Sequence, residues 1–196
     1  MRHPPGVYLI RHGQTKWNET GRHTSYTDIP LNDVGVLQAK GIFDRLKEKS
    51  ILHVFSSPMS RAIDTCVLAG LGEKMHITDE LSEWNYGRYE GLTTEEIRKE
   101  IKGWKIFSHG AKEGETVAQV EFRARRFLEK IRKLEGDVAL FSHGHFSRVL
   151  AAVWIGLGAN EGSLFSLSNA TISILSYERE ESVIQVWNDS SHHQST

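Results

Sequence analysis

The chain has 196 residues, 39% hydrophobic and 25% charged, with 24 Lys and Arg against 25 Asp and Glu. At roughly 150 residues per domain this is a single domain, residues 1–196, able to bury its own core. The charge balance speaks against a nucleic-acid partner or a polybasic membrane anchor, and no apolar run approaches the ~18 residues of a membrane span. The lone cysteine, Cys66, has no internal disulfide partner, and Met1 to Gly6 does not read as a signal peptide, so a cytoplasmic setting is expected.

Val7 to Ile10 is a short apolar run between glycines, the pattern of a strand buried on both faces. Residues 13–30 are polar and rich in turn-formers, which predicts a long loop. Leu31 to Lys49 is expected to be a helix capped by Asn32, with Val36, Ala39, Phe43 and Leu46 on its inner face. A second strand ends at Ser56, and Ser57-Pro58 predicts a helix with the proline at its first position, running to about Leu71. Cys66 is then a core residue. Residues 79–92 read as a polar, aromatic-rich loop, and residues 79–115 as a partly inserted, substrate-side segment. Thr93-Thr94-Glu95-Glu96 offers a capping box.

Thr116 to Leu134 carries Val117, Val120, Ala124, Phe127, Ile131 and Leu134 at helical spacing, the clearest amphipathic stretch in the chain. Asp137 to Ser142 is another buried strand, followed by a helix from about His145 to Leu157. Thr171 to Tyr177 and Ser182 to Trp187 close the chain as an antiparallel pair. Strands separated by helices predict an α/β three-layer sandwich: a mostly parallel central sheet, helices on both faces and an antiparallel edge.

In such a sandwich ligands bind beyond the carboxyl ends of the strands. Arg11-His12-Gly13, Ser56 to Arg61 and Ser142-His143-Gly144 all stand at such ends. Two guanidinium groups, two imidazoles and the starts of two helices would repel one another unless an anion sits among them, and a phosphoryl group suits them best. One cysteine and no cluster of carboxylates argue against His143 and His145 as a metal-ligand pair. Arg2-His3 repeats the dipeptide without the glycine or the strand, and His192 and His193 are expected in a solvated tail.

Leu9-Ile10-Arg11-His12-Gly13-Gln14-Thr15 with Asn18, Ser57-Pro58-Met59-Ser60-Arg61-Ala62, Leu81-Ser82-Glu83-Trp84-Asn85-Tyr86-Gly87 with Glu90-Gly91, Gly114-Glu115-Thr116 and Ser142-His143-Gly144 occur in that order. Together they resemble the histidine phosphatase superfamily, the phosphoglycerate-mutase-like proteins, over nearly the whole chain. The resemblance implies His12 as the nucleophile, Arg11, Arg61 and His143 as phosphoryl ligands, and Glu83 as general acid. It implies no metal and no cofactor. Gly13, Asn18, Gly144 and His145 would support the phosphate and substrate, with Tyr26, Trp84 and Tyr86 lining the pocket and Arg88 or Lys112 near a second phosphate. Family members are often dimers, and a homodimer is open here.

Mutases of the family show Glu-Arg-His-Tyr where this chain has Glu83-Trp84-Asn85-Tyr86, and they are longer. Hydrolysis of a small-molecule phosphate ester is therefore expected. Residues 27–31 and 83–91, and Gly144-His145 with Trp154 and Gly156-Leu157-Gly158, are similar to the sedoheptulose-1,7-bisphosphatase branch, which implies a phosphorylated sugar; a broad-specificity phosphatase stands beside it. A cofactor-dependent phosphoglycerate mutase and a non-catalytic phosphate-binding protein of the same fold are the alternatives.

Overall fold

A computed structural model describes residues 5–193; Arg2 and His3 lie outside the described residues. Six strands form one sheet: β1 (Val7–Arg11), β2 (Ile51–Ser56), β3 (Met75–Ile77), β4 (Asp137–Ser142), β5 (Ile172–Glu178) and β6 (Glu181–Asp189). Their order is β3-β2-β4-β1-β5-β6, with β1 to β4 mutually parallel. β5 runs antiparallel to β1 and β6 antiparallel to β5, giving the expected antiparallel edge. Register places Arg11 opposite Ser142 and Ser56 opposite Phe141. The three chemistry-bearing strand ends therefore finish level, at one edge of the sheet.

Seven α-helices accompany the sheet among the described residues: α1 (Lys16–Glu19), α2 (Asp33–Leu46), α3 (Ser60–Leu68), α4 (Thr94–Glu100), α5 (Ile106–His109), α6 (Val117–Ile131) and α7 (Gly144–Trp154). Side chains alternate along each strand, so every central strand feeds two cores. Tyr8, Ile10, Ala139 and Phe141 pack against Ile42 and Leu46 of α2 and Cys66 of α3. Val7, Leu9, Val138 and Leu140 pack against α6 and α7, joined by Trp84, Tyr86, Trp104 and Phe107. Residues 79–111 thus extend one face of the sandwich and bring their aromatic side chains into its core. Burial pushes the Cys66 thiol up to about 12, so it packs as an inert apolar group.

Several local expectations are corrected. The predicted loop 13–30 contains α1, which Thr15 and Asn18 close with a capping box. The three-residue strand β3 and the one-turn α5 are too short to show periodicity. Helix α3 starts at Ser60 with Met59 as its N-cap, and Pro58 lies ahead of it. The Ser57 side chain is engaged by a distant histidine instead of capping the helix. His192 is not free in solvent: it is half-buried and its Nε2 donates to Ala170 O at 2.7 Å.

On α2 the buried stripe is Gly35, Ala39, Ile42 and Leu46, while Phe43 is 45% exposed and lies over Gly70. The stripe is turned because α2 must approach the chain after β1 closely. A Cβ on Gly35 would stand 2.1 Å from Gln14 O, and one on Gly13 would stand 2.5 Å from Gly35 O. Backbone cannot yield as a flexible side chain does. Gly35→Ala is expected to lower stability by about 1–3 kcal/mol and to reduce turnover by displacing the segment that carries His12; urea unfolding with wild-type stability would refute this.

Candidate active site

His12 leaves the end of β1 buried, its own N–H bonded to Ser142 O at 3.0 Å. Its Nδ1 donates to Gly13 O at 2.7 Å. A carbonyl only accepts, so the proton is on Nδ1 and the Nε2 lone pair is free to attack. The His143 ring lies edge-on, with 5.1 Å between ring centroids. Arg61, fully buried on the first turn of α3, donates to Thr27 O at 3.1 Å and Ser25 O at 2.9 Å. Arg11 Nη1 donates to Leu167 O. Three buried atoms nevertheless have no protein partner: Arg11 Nε, Arg61 Nε and His143 Nδ1. Buried polar atoms are nearly always paired, so these three stand out.

Glu83 is 5% exposed and joins the site through α7. Its Oε1 accepts from the amides of Trp84 and Phe146, both at 2.8 Å, and its Oε2 from the amide of His145 at 3.0 Å. The carboxyl thereby caps α7 from a distant segment. Oε1 is filled by its two donors, whereas Oε2 keeps one acceptor position. Glu83 lines the same cavity of about 320 Å³ as Arg11, His12, Asn18, Tyr86, Gly144 and His145. That volume is at the small end of the ~300–1,000 Å³ of small-molecule sites. Gly144 at the helix start lets the Arg11 guanidinium lie close, since a Cβ there would stand 3.2 Å from it and Arg11 would have to shift.

A family model described as the histidine phosphatase superfamily, branch 1, matches residues 7–190. This chain belongs to the histidine phosphatase superfamily. An acid phosphatase of Mycobacterium tuberculosis is 42% identical over 176 residues, covering 88% of this chain and 86% of that protein. A sedoheptulose 1,7-bisphosphatase of Saccharomyces cerevisiae is 34% identical over 189 residues, covering 80% and 70%. The solved structure of a Mycobacterium tuberculosis open reading frame superposes with a TM-score of 0.88 at 38% identity, over 94% of this chain and 97% of that one. Fold, family and relatives make the chain a phosphatase.

Not every residue expected in the pocket of this phosphatase is there. Trp84 is wholly buried in the core, edge-on to Phe107, and its indole donates to Glu115 O. Tyr26 is 61% exposed and does not line the cavity, because the backbone around it is turned inward to give its carbonyls to Arg61. The Gly13 N–H is taken by Thr65 Oγ1, so Gly13 serves through its carbonyl, on His12. Arg88 is exposed beside Glu113, and neither it nor Lys112 reaches the cavity. The start of α3 is closed by Asp28, which accepts from Ser60 N and Oγ, so only α7 opens on the cavity.

Other residues of the phosphatase site had no sequence signal. Asn169 donates to His12 O at 3.2 Å and to Asn18 Oδ1 at 3.0 Å. With Thr15 also donating to that oxygen, the Asn18 amide is oriented with Nδ2 as its remaining donor. Arg22, His23, Arg148 and Leu167 complete the wall. Tyr86 Oη and His145 Nδ1 share a hydrogen bond of 2.5 Å.

Burial holds the His12, His143 and His145 imidazoles well below their usual range, with Arg61 and Arg11 adding to the effect on His12 and His143. Burial also lowers His23 to about 4. In the unfolded chain each takes a proton near pH 6.5. The unfolded state therefore binds more protons as pH falls through 6.5, and folding stability falls with it. The ligand-free phosphatase is expected to lose stability steadily between pH 6.5 and 5, above the range where carboxylates dominate. A flat urea-unfolding free energy over that interval would show that these histidines titrate normally.

Proposed function

We propose that this phosphatase hydrolyses small phosphate monoesters through a phosphohistidine on His12, without a metal ion, and that its substrates are small phosphorylated sugars, sugar bisphosphates among them. The observation that carries the reading is the free Nε2 of a neutral His12 held near the Arg11 and Arg61 guanidinium groups, each with a buried, unpartnered Nε–H, and edge-on to His143. Positive charge for the transferring phosphoryl group comes from Arg11 and Arg61, with His143 beside them. Among the described residues no group of three or more His, Cys, Asp or Glu could hold a metal ion.

In the first step His12 Nε2 attacks phosphorus and the P–O ester bond breaks, its electron pair leaving on the alcohol oxygen, which takes the proton of Glu83. In the second step water attacks the phosphohistidine, gives its proton to Glu83, and the P–N bond breaks to regenerate His12. Glu83 reaches both through Oε2, the oxygen with a free position. Sugar phosphates suit a small polar cavity whose wall includes Tyr86, His23 and His145. The relatives named acid phosphatase and sedoheptulose 1,7-bisphosphatase support hydrolysis and a sugar substrate.

The test is a phosphate-release screen over sugar mono- and bisphosphates, triose phosphates and phosphoserine in EDTA, with rapid acid-free quenching to trap the phosphoenzyme. Release in EDTA, no need for a bisphosphorylated primer, and label on a histidine are expected. Activity restored only by added metal, or strict dependence on a primer, would overturn the reading. Because His12 stays neutral below pH 6.5, kcat/KM corrected for the second ionisation of the substrate phosphate at about pH 6 is also expected to hold through that range. A further break with unit slope would assign His12 an ordinary titration.

A further inference from the structure

Ser57 belongs to none of the roles above, yet it touches one of their residues. Its side chain is fully buried between the end of β2 and the start of α3, and its Oγ lies 2.7 Å from His143 Nε2. The Oγ already accepts the Met59 N–H at 3.4 Å, and no carbonyl or carboxylate among the described residues accepts its proton. The hydroxyl hydrogen therefore has the imidazole lone pair as its acceptor. An O–H donated to Nε2 leaves the single ring proton of a neutral imidazole on Nδ1. Nδ1 is the nitrogen that is buried without a partner, in a ring set edge-on to His12.

We infer that Ser57 is a positioning residue: its hydroxyl fixes His143 in the Nδ1–H form, so that a donor and not a lone pair faces the phosphoryl oxygens. This inference rests on the proposed hydrolysis for its consequence but not for its geometry. Were His143 doubly protonated, both nitrogens would donate and Ser57 would be irrelevant to the choice. Burial and the nearby Arg61, His12 and Arg11 keep it neutral, and a neutral ring must place its proton on one side only. In the opposite form Nδ1 would present electrons to an anion, which repels where the site must attract. Ser57→Ala removes the group that decides between the two forms, without removing any cation from the site.

Two measurements test this. The first is the ¹⁵N spectrum of His143 in the ligand-free wild-type protein, assigned against His143→Gln. A proton on Nδ1 is expected, and a proton on Nε2 would overturn the inference whether or not any substrate is turned over. The second is a double-mutant cycle with p-nitrophenyl phosphate. Ser57→Ala is expected to lower kcat/KM by about 10- to 100-fold, the range of a lost hydrogen bond to a charged group. In a His143→Ala background the two losses are expected not to add, and Ser57→Thr, which keeps the hydroxyl, to recover part of the rate. Full additivity would show that Ser57 acts on folding or on another group, against the inference. Absence of all turnover in the wild type would overturn the proposed hydrolysis alone, leaving the tautomer to be judged by the spectrum.

Discussion

His12→Ala is expected to abolish turnover, with a loss on the order of 10⁴-fold or more and no trapped phosphoenzyme. The reason is that the other imidazoles of the site are engaged. His23, in the cavity wall, shares a hydrogen bond with Thr94 Oγ1 through its Nε2. His143, which does not line the cavity, is engaged by Ser57 through Nε2, while His145 Nδ1 is tied to Tyr86. The fold should survive, because the backbone bonds of residue 12, to Ser142 and Ala170, do not involve the ring. Quench-flow labelling together with steady-state phosphate release checks this. A labelled His12→Ala protein would move the nucleophile elsewhere.

Glu83→Gln is the second large effect, and it should split in two. Turnover of alkyl phosphates is expected to fall by about 10²–10⁴-fold, because the leaving alkoxide then departs without a proton. The loss in kcat/KM, which reports the phosphorylation step, should be much smaller for p-nitrophenyl phosphate, whose leaving group needs no acid. Its kcat should still fall, because Glu83 is also the proposed base for the water that releases the phosphohistidine. Stability should also fall, by about 1–3 kcal/mol, because the new amide cannot accept from all three backbone N–H groups that the carboxylate now satisfies. Equal losses in kcat/KM on both substrates would mean that Glu83 is not the acid for the leaving group. Comparing the two leaving groups in one variant separates the chemical from the structural role.

Where the candidate site sits was legible in the chain because it depends on local order. A short apolar strand followed at once by Arg11-His12-Gly13 or Ser142-His143-Gly144 places those residues beyond a strand end, whatever else the chain does. Parallel pairing then brings the ends level. The capping boxes at Thr93 and Thr116 and the stripe along α6 were equally readable, since each is set by residues within one or two turns. Sequence spacing was less informative for the pocket wall. Trp84 and Tyr26 look alike as aromatic residues of polar loops, yet one is sealed in the core and the other stands in solvent.

Taken alone, the sequence determined the family and the sandwich and put Arg11, His12, Arg61 and His143 forward as the proposed reacting set, because strand ends and helix starts are encoded by near neighbours. The motif resemblance named Glu83 as the proposed acid, and the tertiary structure supplies the physical reason to prefer it over its neighbours. Glu80 faces Arg126 and Lys130 on the outside, Glu90 is spent on the backbone of Ser25 and Thr27, and only Glu83 lies where α7 begins. Tertiary structure also chose the partners of both histidines. Asn169 meets His12 across 157 positions of chain and Ser57 meets His143 across 86, contacts that no local pattern encodes. Proton positions follow from hydrogen-bond partners, and those partners exist only once the sheet has brought distant segments together.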